Sequence, residues 1–200
     1  MFNRFGTARA TIDASGSLNE AKTLRGRVVG VAGREAGFKD SAAGNKFTLY
    51  GVMDAQAGEN TKFTWGGLYQ HTTSIPDDWG ILMGTGGSDS GLLRDTFLSY
   101  DWSRNHARKI NLFAEVEHYF SDDWKLTGTL NYNNNHSLKR NGGIYNGSTA
   151  YAGWIPGGTL PSGWLGRYDC NEKQFTIKTN LNSKYCLWGR EHDAFFGYTY

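Results

Sequence analysis

The stretch Lys109-Ile-Asn-Leu-Phe-Ala-Glu-Val-Glu-His-Tyr-Phe-Ser-Asp-Asp-Trp-Lys-Leu-Thr-Gly-Thr-Leu-Asn-Tyr-Asn133 decides the fold. Ile110, Leu112, Ala114, Val116 and Phe120 fall at alternate positions, with Lys109, Asn111, Glu115 and Glu117 between them. Ser121-Asp122-Asp123 turns the chain. The alternation then resumes, with Trp124, Leu126, Gly128, Leu130 and Tyr132 on one side and Lys125, Thr127, Thr129, Asn131 and Asn133 on the other. Successive side chains of a strand point to opposite faces, so a period of two marks a hairpin with one apolar and one polar face. Phe113 on the polar face and His118 on the apolar one break the pattern.

The same reading extends outward. A second hairpin covers about 45–72, with Phe47, Leu49, Gly51, Met53 and Ala55 on a face that Phe63, Trp65, Gly67 and Tyr69 continue. A weaker pair joins Gly6, Ala8, Ala10 and Ile12 to Leu24, Gly26, Val28 and Gly30. A last pair runs through Phe175, Ile177 and Leu181, turns near Gly189 and returns over 192–200, where the faces stay unassigned. No stretch shows a helical stripe, and the many glycines and aromatics beside few prolines suit short strands and turns. The expected fold is all-β, about eight antiparallel strands.

The connections say where such a sheet lives. Short ones are expected near 15–22, 57–60, 121–123 and 183–190, and long ones near 34–44, 73–107 and 139–167. They alternate strictly, so an up-and-down sheet carries every short turn at one end and every long loop at the other. Outer-membrane barrels are sorted in this way, and a soluble sandwich has no reason to be. Phe120 and Trp124 flank a short turn, and Tyr132 lies about 19 Å away along the membrane normal at a tilt of about 45°. That fits two aromatic girdles on an apolar band about 25 Å tall. Leu112, Val116, Leu126 and Leu130 are the expected lipid-facing residues. A mean hydropathy of −0.55 is compatible, because only alternate strand residues would touch lipid. No run of eighteen apolar residues offers a transmembrane helix.

Other chemistries find little support. A net charge of +2 without a dense Lys/Arg patch gives no nucleic-acid footprint. His71, His106, His118, His136 and His192 have no ligand spacing, so no metal site is expected. The glycine run at 84–91 is followed by no Lys-Ser/Thr and no helix, unlike a phosphate loop. Glu115 and Glu117 stand about 7 Å apart on one side of a strand. That resembles a glycosidase pair, but charged residues facing a wet interior are the stronger reading. Met1-Phe-Asn-Arg-Phe-Gly6 begins no signal peptide, so an exported chain of this kind is expected to be a fragment. Cys170 is expected near the loop end of a strand and Cys186 in the opposite short turn, too far apart for the Cα separation of about 7 Å that a disulfide tolerates.

Residues 92–130 carry a family resemblance. They read Leu92-Leu-Arg-Asp-Thr-Phe-Leu-Ser-Tyr-Asp-Trp-Ser103, then Asn111-Leu-Phe-Ala-Glu-Val-Glu-His-Tyr-Phe120, then Asp122-Asp-Trp-Lys-Leu126. This resembles the barrel of TonB-dependent siderophore receptors, in the branch of ferric-pyoverdine, ferrioxamine and coprogen receptors. There a loop ends in Trp-Ser, as at Trp102-Ser103, and a Phe-Ala-Glu-hydrophobic-Glu-His strand, as at 113–118, turns into Trp-Lys-Leu, as at 124–126. Gly16-Ser-Leu-Asn-Glu20 with Leu24-Arg-Gly-Arg-Val28, and Phe175 to Leu181 with Gly189-Arg-Glu-His192, resemble an earlier and a later hairpin. The loop at 79–91 lacks the proline-rich turn usual in relatives, and the two cysteines have no family role.

The resemblance implies a plugged barrel of about 22 strands. Residues 1–200 would be part of its barrel domain, with the plug domain and C-terminal strands absent. It implies the bacterial outer membrane, uptake of a ferric siderophore as transported ligand rather than cofactor, and energy from the TonB–ExbB–ExbD complex reached through an N-terminal part. No reaction would be catalysed. Arg25, Arg27, Glu115 and Glu117 would face the lumen, the glutamates pairing with arginines of neighbouring strands or the plug. Loop aromatics would meet the ligand, since their rings give rigid contact area with a polar handle. Trp79, Tyr145, Tyr151, Trp154 and Trp164 are the candidates. A passive porin-like channel, an outer-membrane enzyme and a soluble β-sheet binding module are the alternatives.

The faces predict a mutational contrast. Leu112→Lys or Leu126→Lys should cost about 2–4 kcal/mol near a lipid midplane, whereas Thr127→Lys or Asn131→Lys should cost little. Equal shifts of the unfolding midpoint in the two sets would refute the faces.

Overall fold

Alternation along the chain becomes an eight-stranded antiparallel sheet in the computed structural model, which describes residues 2–77, 88–144 and 163–200, with the side chains of 143, 144, 163 and 164 left aside. The strands are β1 (Ala8–Ser17), β2 (Leu24–Ala36), β3 (Ala43–Ala57), β4 (Thr61–Ser74), β5 (Arg104–Ser121), β6 (Trp124–Ile144), β7 (Gly163–Leu187) and β8 (Arg190–Thr199). Each pairs only with its neighbours in sequence, from β1 at one edge to β8 at the other.

Register makes the two faces continuous. Val28 pairs with Gly51, Gly51 with Gly67, Gly67 with Leu112, Leu112 with Tyr132 and Tyr132 with Phe175. A second row runs through Met53, Trp65, Ala114, Leu130 and Ile177. Leu126 pairs with Leu181 and Val116 with Gly128 on the same face. A slip of one residue in any pair would turn that strand's apolar set to the other side. The final strand also resolves: Phe196 lies opposite Leu181 and Tyr198 opposite Thr179 on the apolar face, while Phe195 lies opposite Asn182 on the polar one.

The sheet has no core of its own. Leu98 and Pro76 are the buried apolar side chains among the described residues, and Leu112, Leu130 and Phe175 are about half exposed. A soluble domain of this length would bury most of its apolar side chains against a second layer. Here the apolar face is a single sheet surface that no second layer of the described residues covers.

The sorting of connections is observed in part. The strand ends joined by 58–60, 122–123 and 188–189 share one end with those joined by 18–23, and the strand ends flanking 75–103 and 145–162 lie at the other, but 37–42, expected to be long, has six residues like 18–23. At 188–189 both residues have positive φ, 52° at Trp188 and 71° at Gly189, as a two-residue turn matching strand twist requires. The long loops are nevertheless shorter than the sequence implied, and the expected loop 139–167 is corrected most. β6 continues to Ile144 and β7 begins at Gly163, so Trp164 sits on a strand opposite Gly143. The cause is that both faces become polar there, so the period-2 contrast fades while the backbone ladder continues. Cys186 is likewise a strand residue, opposite Glu191, rather than a turn residue. Cys170 lies near the other end of β7, opposite Ser137, and both thiols are free and exposed.

The two pattern-breaking residues have local explanations. Phe113 pairs with Gly66, whose missing side chain leaves room for the ring: a Cβ there would lie 2.7 Å from Phe113 Cζ and would also strike the Gly51 carbonyl oxygen. His118 sits at the short-turn end, its Nδ1 2.8 Å from Thr61 Oγ1 and its ring edge-on to Phe120 at 4.6 Å. Register shifts between Tyr119 and Ser121, so Phe120 is the extra residue of a bulge that tightens the β5–β6 turn.

Gly66→Ala should therefore destabilise the fold by about 1–3 kcal/mol, the usual cost of overpacking. Gly30→Ala, with nothing within 4 Å of the added carbon, should shift the midpoint far less. Denaturant titration of the two variants in detergent checks the order.

Candidate functional site

The polar face is a hydrogen-bonded wall. Arg25 grips Asp54 through Nε at 3.0 Å and Nη2 at 2.8 Å, and Arg27 grips Asp13 through Nε at 2.9 Å and Nη2 at 2.6 Å. Both forks are bidentate from the guanidinium side, which fixes side-chain direction more than it adds stability in such exposed pairs. Glu117 accepts from Lys125 Nζ at 2.7 Å, and Glu115 accepts from Thr129 Oγ1 at 3.3 Å. Across neighbouring strands, the two glutamates thus meet a lysine and a threonine where arginines were expected. Each lies on β6, whose register puts Thr127 and Thr129 opposite Glu117 and Glu115. Midway up the wall, Asn111 donates to the side-chain oxygens of Asn131 at 3.2 Å and Asn133 at 2.9 Å, and Asn133 donates to Asn131 at 2.8 Å. The result is an uncharged amide patch.

At the long-loop end, segments remote in sequence meet. The Asp77 carboxylate is fully enclosed, and one of its oxygens accepts from Lys39 Nζ at 2.9 Å and from the Leu98 backbone N–H at 3.3 Å. The Asp40 N–H donates to the Asp95 carbonyl at 2.9 Å, and the Arg94 guanidinium lies over the Phe38 ring at 4.9 Å. These contacts clamp the 37–42 connection to the segment 88–103. Ser103 is completely buried, its N–H bonded to the Tyr100 carbonyl at 2.8 Å and its hydroxyl 3.0 Å from that of Ser99. That tight turn stacks Tyr100 on Trp102, with centroids 5.2 Å apart and planes 20° from parallel. Beside the clamp, on the polar face, opens a hollow of about 460 Å³ lined among others by Glu35, Thr72, Ser74, Asp77 and Asn105.

The sequence candidates divide accordingly. Arg25, Arg27, Glu115 and Glu117 share the polar face, and Leu112, Val116, Leu126 and Leu130 share the other. Trp79, Tyr145, Tyr151 and Trp154 lie outside the described residues, as does the side chain of Trp164. Sequence reasoning missed Asp13 and Asp54, although hairpin register alone would have set Asp54 opposite Arg25. It also missed Lys39 with Asp77, and nothing in the sequence couples two residues from different loops.

Comparison with known proteins gives the fold a setting. No family model matches the chain. It is 26% identical over 200 residues to the ferric-pyoverdine M114 receptor PbuA of Pseudomonas sp. (strain M114), covering 94% of this chain and 22% of that protein. The pyoverdine outer membrane receptor FpvA of Pseudomonas aeruginosa PAO1, solved bound to pyoverdine, superposes with a TM-score of 0.86 at 22% identity, over 99% of this chain and 28% of that one. The ferric-catecholate import receptor Fiu of E. coli K12 superposes with a TM-score of 0.82 at 16% identity, over 98% of this chain and 32% of that one. The chain thus spans about a quarter of the length of the curated relative it matches. Its fold is that of part of the barrel of such outer-membrane receptors, and its curated relatives are named ferric-pyoverdine receptors.

Asp77→Ala should loosen the loop clamp by about 2–4 kcal/mol, because it strands a buried lysine and an amide. Protease cleavage within 88–103 should accelerate while the unfolding midpoint of the strands stays near that of the parent.

Proposed function

We propose that this chain forms wall and loop anchorage of an energy-dependent outer-membrane receptor for a ferric siderophore of the pyoverdine type. One observation carries the reading: eight strands in sequence order present one mainly apolar and one mainly polar face, in a sheet that superposes on the pyoverdine receptor FpvA, and the chain's curated relatives are named for ferric pyoverdine. The apolar rows, with Leu112, Val116, Leu126 and Leu130, touch hydrocarbon. The polar wall, with Arg25, Arg27, Glu115 and Glu117, faces a hydrated lumen. There its ion pairs and amide patch offer exchangeable hydrogen bonds to a plug domain, which in such a receptor comes from the three quarters of the relatives' length not spanned here.

Iron reaches such a receptor already chelated, so it is cargo, and the wall needs no metal ligands of its own. At the long-loop end, the Tyr100–Trp102 stack supplies a rigid ring platform and the hollow supplies polar groups, which together suit a flat, partly polar ligand. The loop aromatics Trp79, Tyr145, Tyr151, Trp154 and Trp164 are proposed as further contacts. Energy comes from a TonB–ExbB–ExbD complex acting on the plug.

The test is uptake of radiolabelled ferric pyoverdine by iron-starved cells that carry this receptor as their sole pyoverdine route. Uptake should stop when the proton gradient is dissipated. Tyr100→Ala with Trp102→Ala should weaken binding about tenfold, the value of one or two aromatic contacts. Uptake that survives loss of the gradient would indicate a passive channel and end the proposal.

A further inference from the structure

The apolar face does not stop being a surface where its apolar residues stop. Towards the long loops it turns basic. On β5, Arg108, His106 and Arg104 follow Ile110 at alternate positions. On β6, His136 and Arg140 continue the face of Tyr132, and on β7, Lys173 and Arg167 continue that of Phe175. Pairing draws them together. Arg104 is opposite Arg140 and Arg140 is opposite Arg167, three arginines abreast on neighbouring strands. Two rows nearer the apolar band, His71 is opposite Arg108 and Arg108 opposite His136.

Like charges directly opposite one another destabilise a sheet unless an anion lies between them. The strands offer little to fill that role. Asp169, 2.9 Å from His136 and 3.7 Å from Arg167, is the only acidic strand residue on this part of the face among the described residues. Arg34, Arg108, Arg140 and Lys173 make no ion pair among the described residues. Arg104 uses only Nη1, on the carbonyls of Asp101 and Ser103 at 2.7 Å each. A hollow of about 330 Å³ opens on the same face, lined among others by Arg34, Asn45, Thr73, Arg104 and His106. At the short-turn end, the strands bring this face one arginine, Arg190, with the histidines His118 and His192.

Height identifies the occupant. Arg108 stands about 5 Å above Ile110 along the membrane normal and Arg104 about 14 Å, for a strand rise of about 3.3 Å and a tilt of about 45°. A phospholipid headgroup layer is only about 5–8 Å deep. The upper arginines therefore call for an anionic headgroup that reaches higher, with phosphates on sugars as well as at the lipid boundary. We propose that this basic collar seats the phosphorylated sugar headgroup of lipopolysaccharide, the glycolipid of the outer leaflet. The inference rests on the apolar face meeting the membrane with the long loops outside, and it is independent of which siderophore is carried.

The experiment uses the whole receptor extracted from outer membranes in mild detergent. The probes are purified lipopolysaccharide and the same material stripped of phosphate. The triple variant Arg104→Gln, Arg140→Gln, Arg167→Gln should bind intact lipopolysaccharide at least about tenfold more weakly, since each cation at an anionic lipid surface is worth about fivefold. The corresponding triple Lys variant should keep most of the binding, Arg190→Gln should match the parent, and phosphate removal should erase the difference between parent and Gln variant. Retarded migration on unheated gels confirms that each variant is folded. Equal binding by parent and Gln variant, indifference to phosphate removal, or full displacement by excess inorganic phosphate would overturn the collar. Release of the receptor from membranes without detergent would instead overturn the membrane reading beneath it.

Discussion

A peptide group facing hydrocarbon has no water to bond with, so each N–H and C=O must find its partner within the protein. That constraint organises the whole chain. It requires ladders with no interruption through the apolar zone, and β2 to β7 supply them over every residue of the band. It also makes β1 and β8 unfinished, because each carries a row of amides with no neighbour on its outer side. A sheet of this kind is stable only as an arc of a closed wall. Among the described residues, irregular backbone is confined to the two ends, and the one bulge, at Phe120, sits beside a turn.

The side chains then divide the work by face. Outward, packing within the protein is slight, and residues are chosen for contact with lipid and for small gaps such as Gly67, over which Leu112 leans. Inward, arginine forks, a lysine–glutamate pair and an amide cluster hold one another in place across strands. None of these inward groups is locked in a dry core. They are ordered yet accessible, a suitable surface for something that must be held and then let go.

The fold was largely legible because alternation is strongest where one face is apolar. Leu112, Val116, Leu126 and Leu130 all fell on the side the structure gives them, and so did Arg25, Arg27, Glu115 and Glu117. Legibility failed wherever the contrast between faces failed. The upper reaches of β6 and β7 are polar on both sides, so Trp164 read as loop, and β8, with Phe195 and Phe196 adjacent, gave two apolar faces at once. The site was less legible than the fold. Pairings within a hairpin, such as Lys125 with Glu117, follow from register, whereas the Lys39–Asp77 clamp depends on how two separate connections drape over the rim.

β6 and β7 run for 21 and 25 residues, more than an apolar band requires. From Asn134, at the band's upper edge, to Ile144 the strand climbs roughly 33 Å along its axis. The pair therefore stands as a stiff mast, braced on one flank by β5 only as far as Arg140. The Ile144 and Gly163 ends are thus held far above the apolar band by a continuous backbone ladder, on a rigid spar instead of a flexible tether.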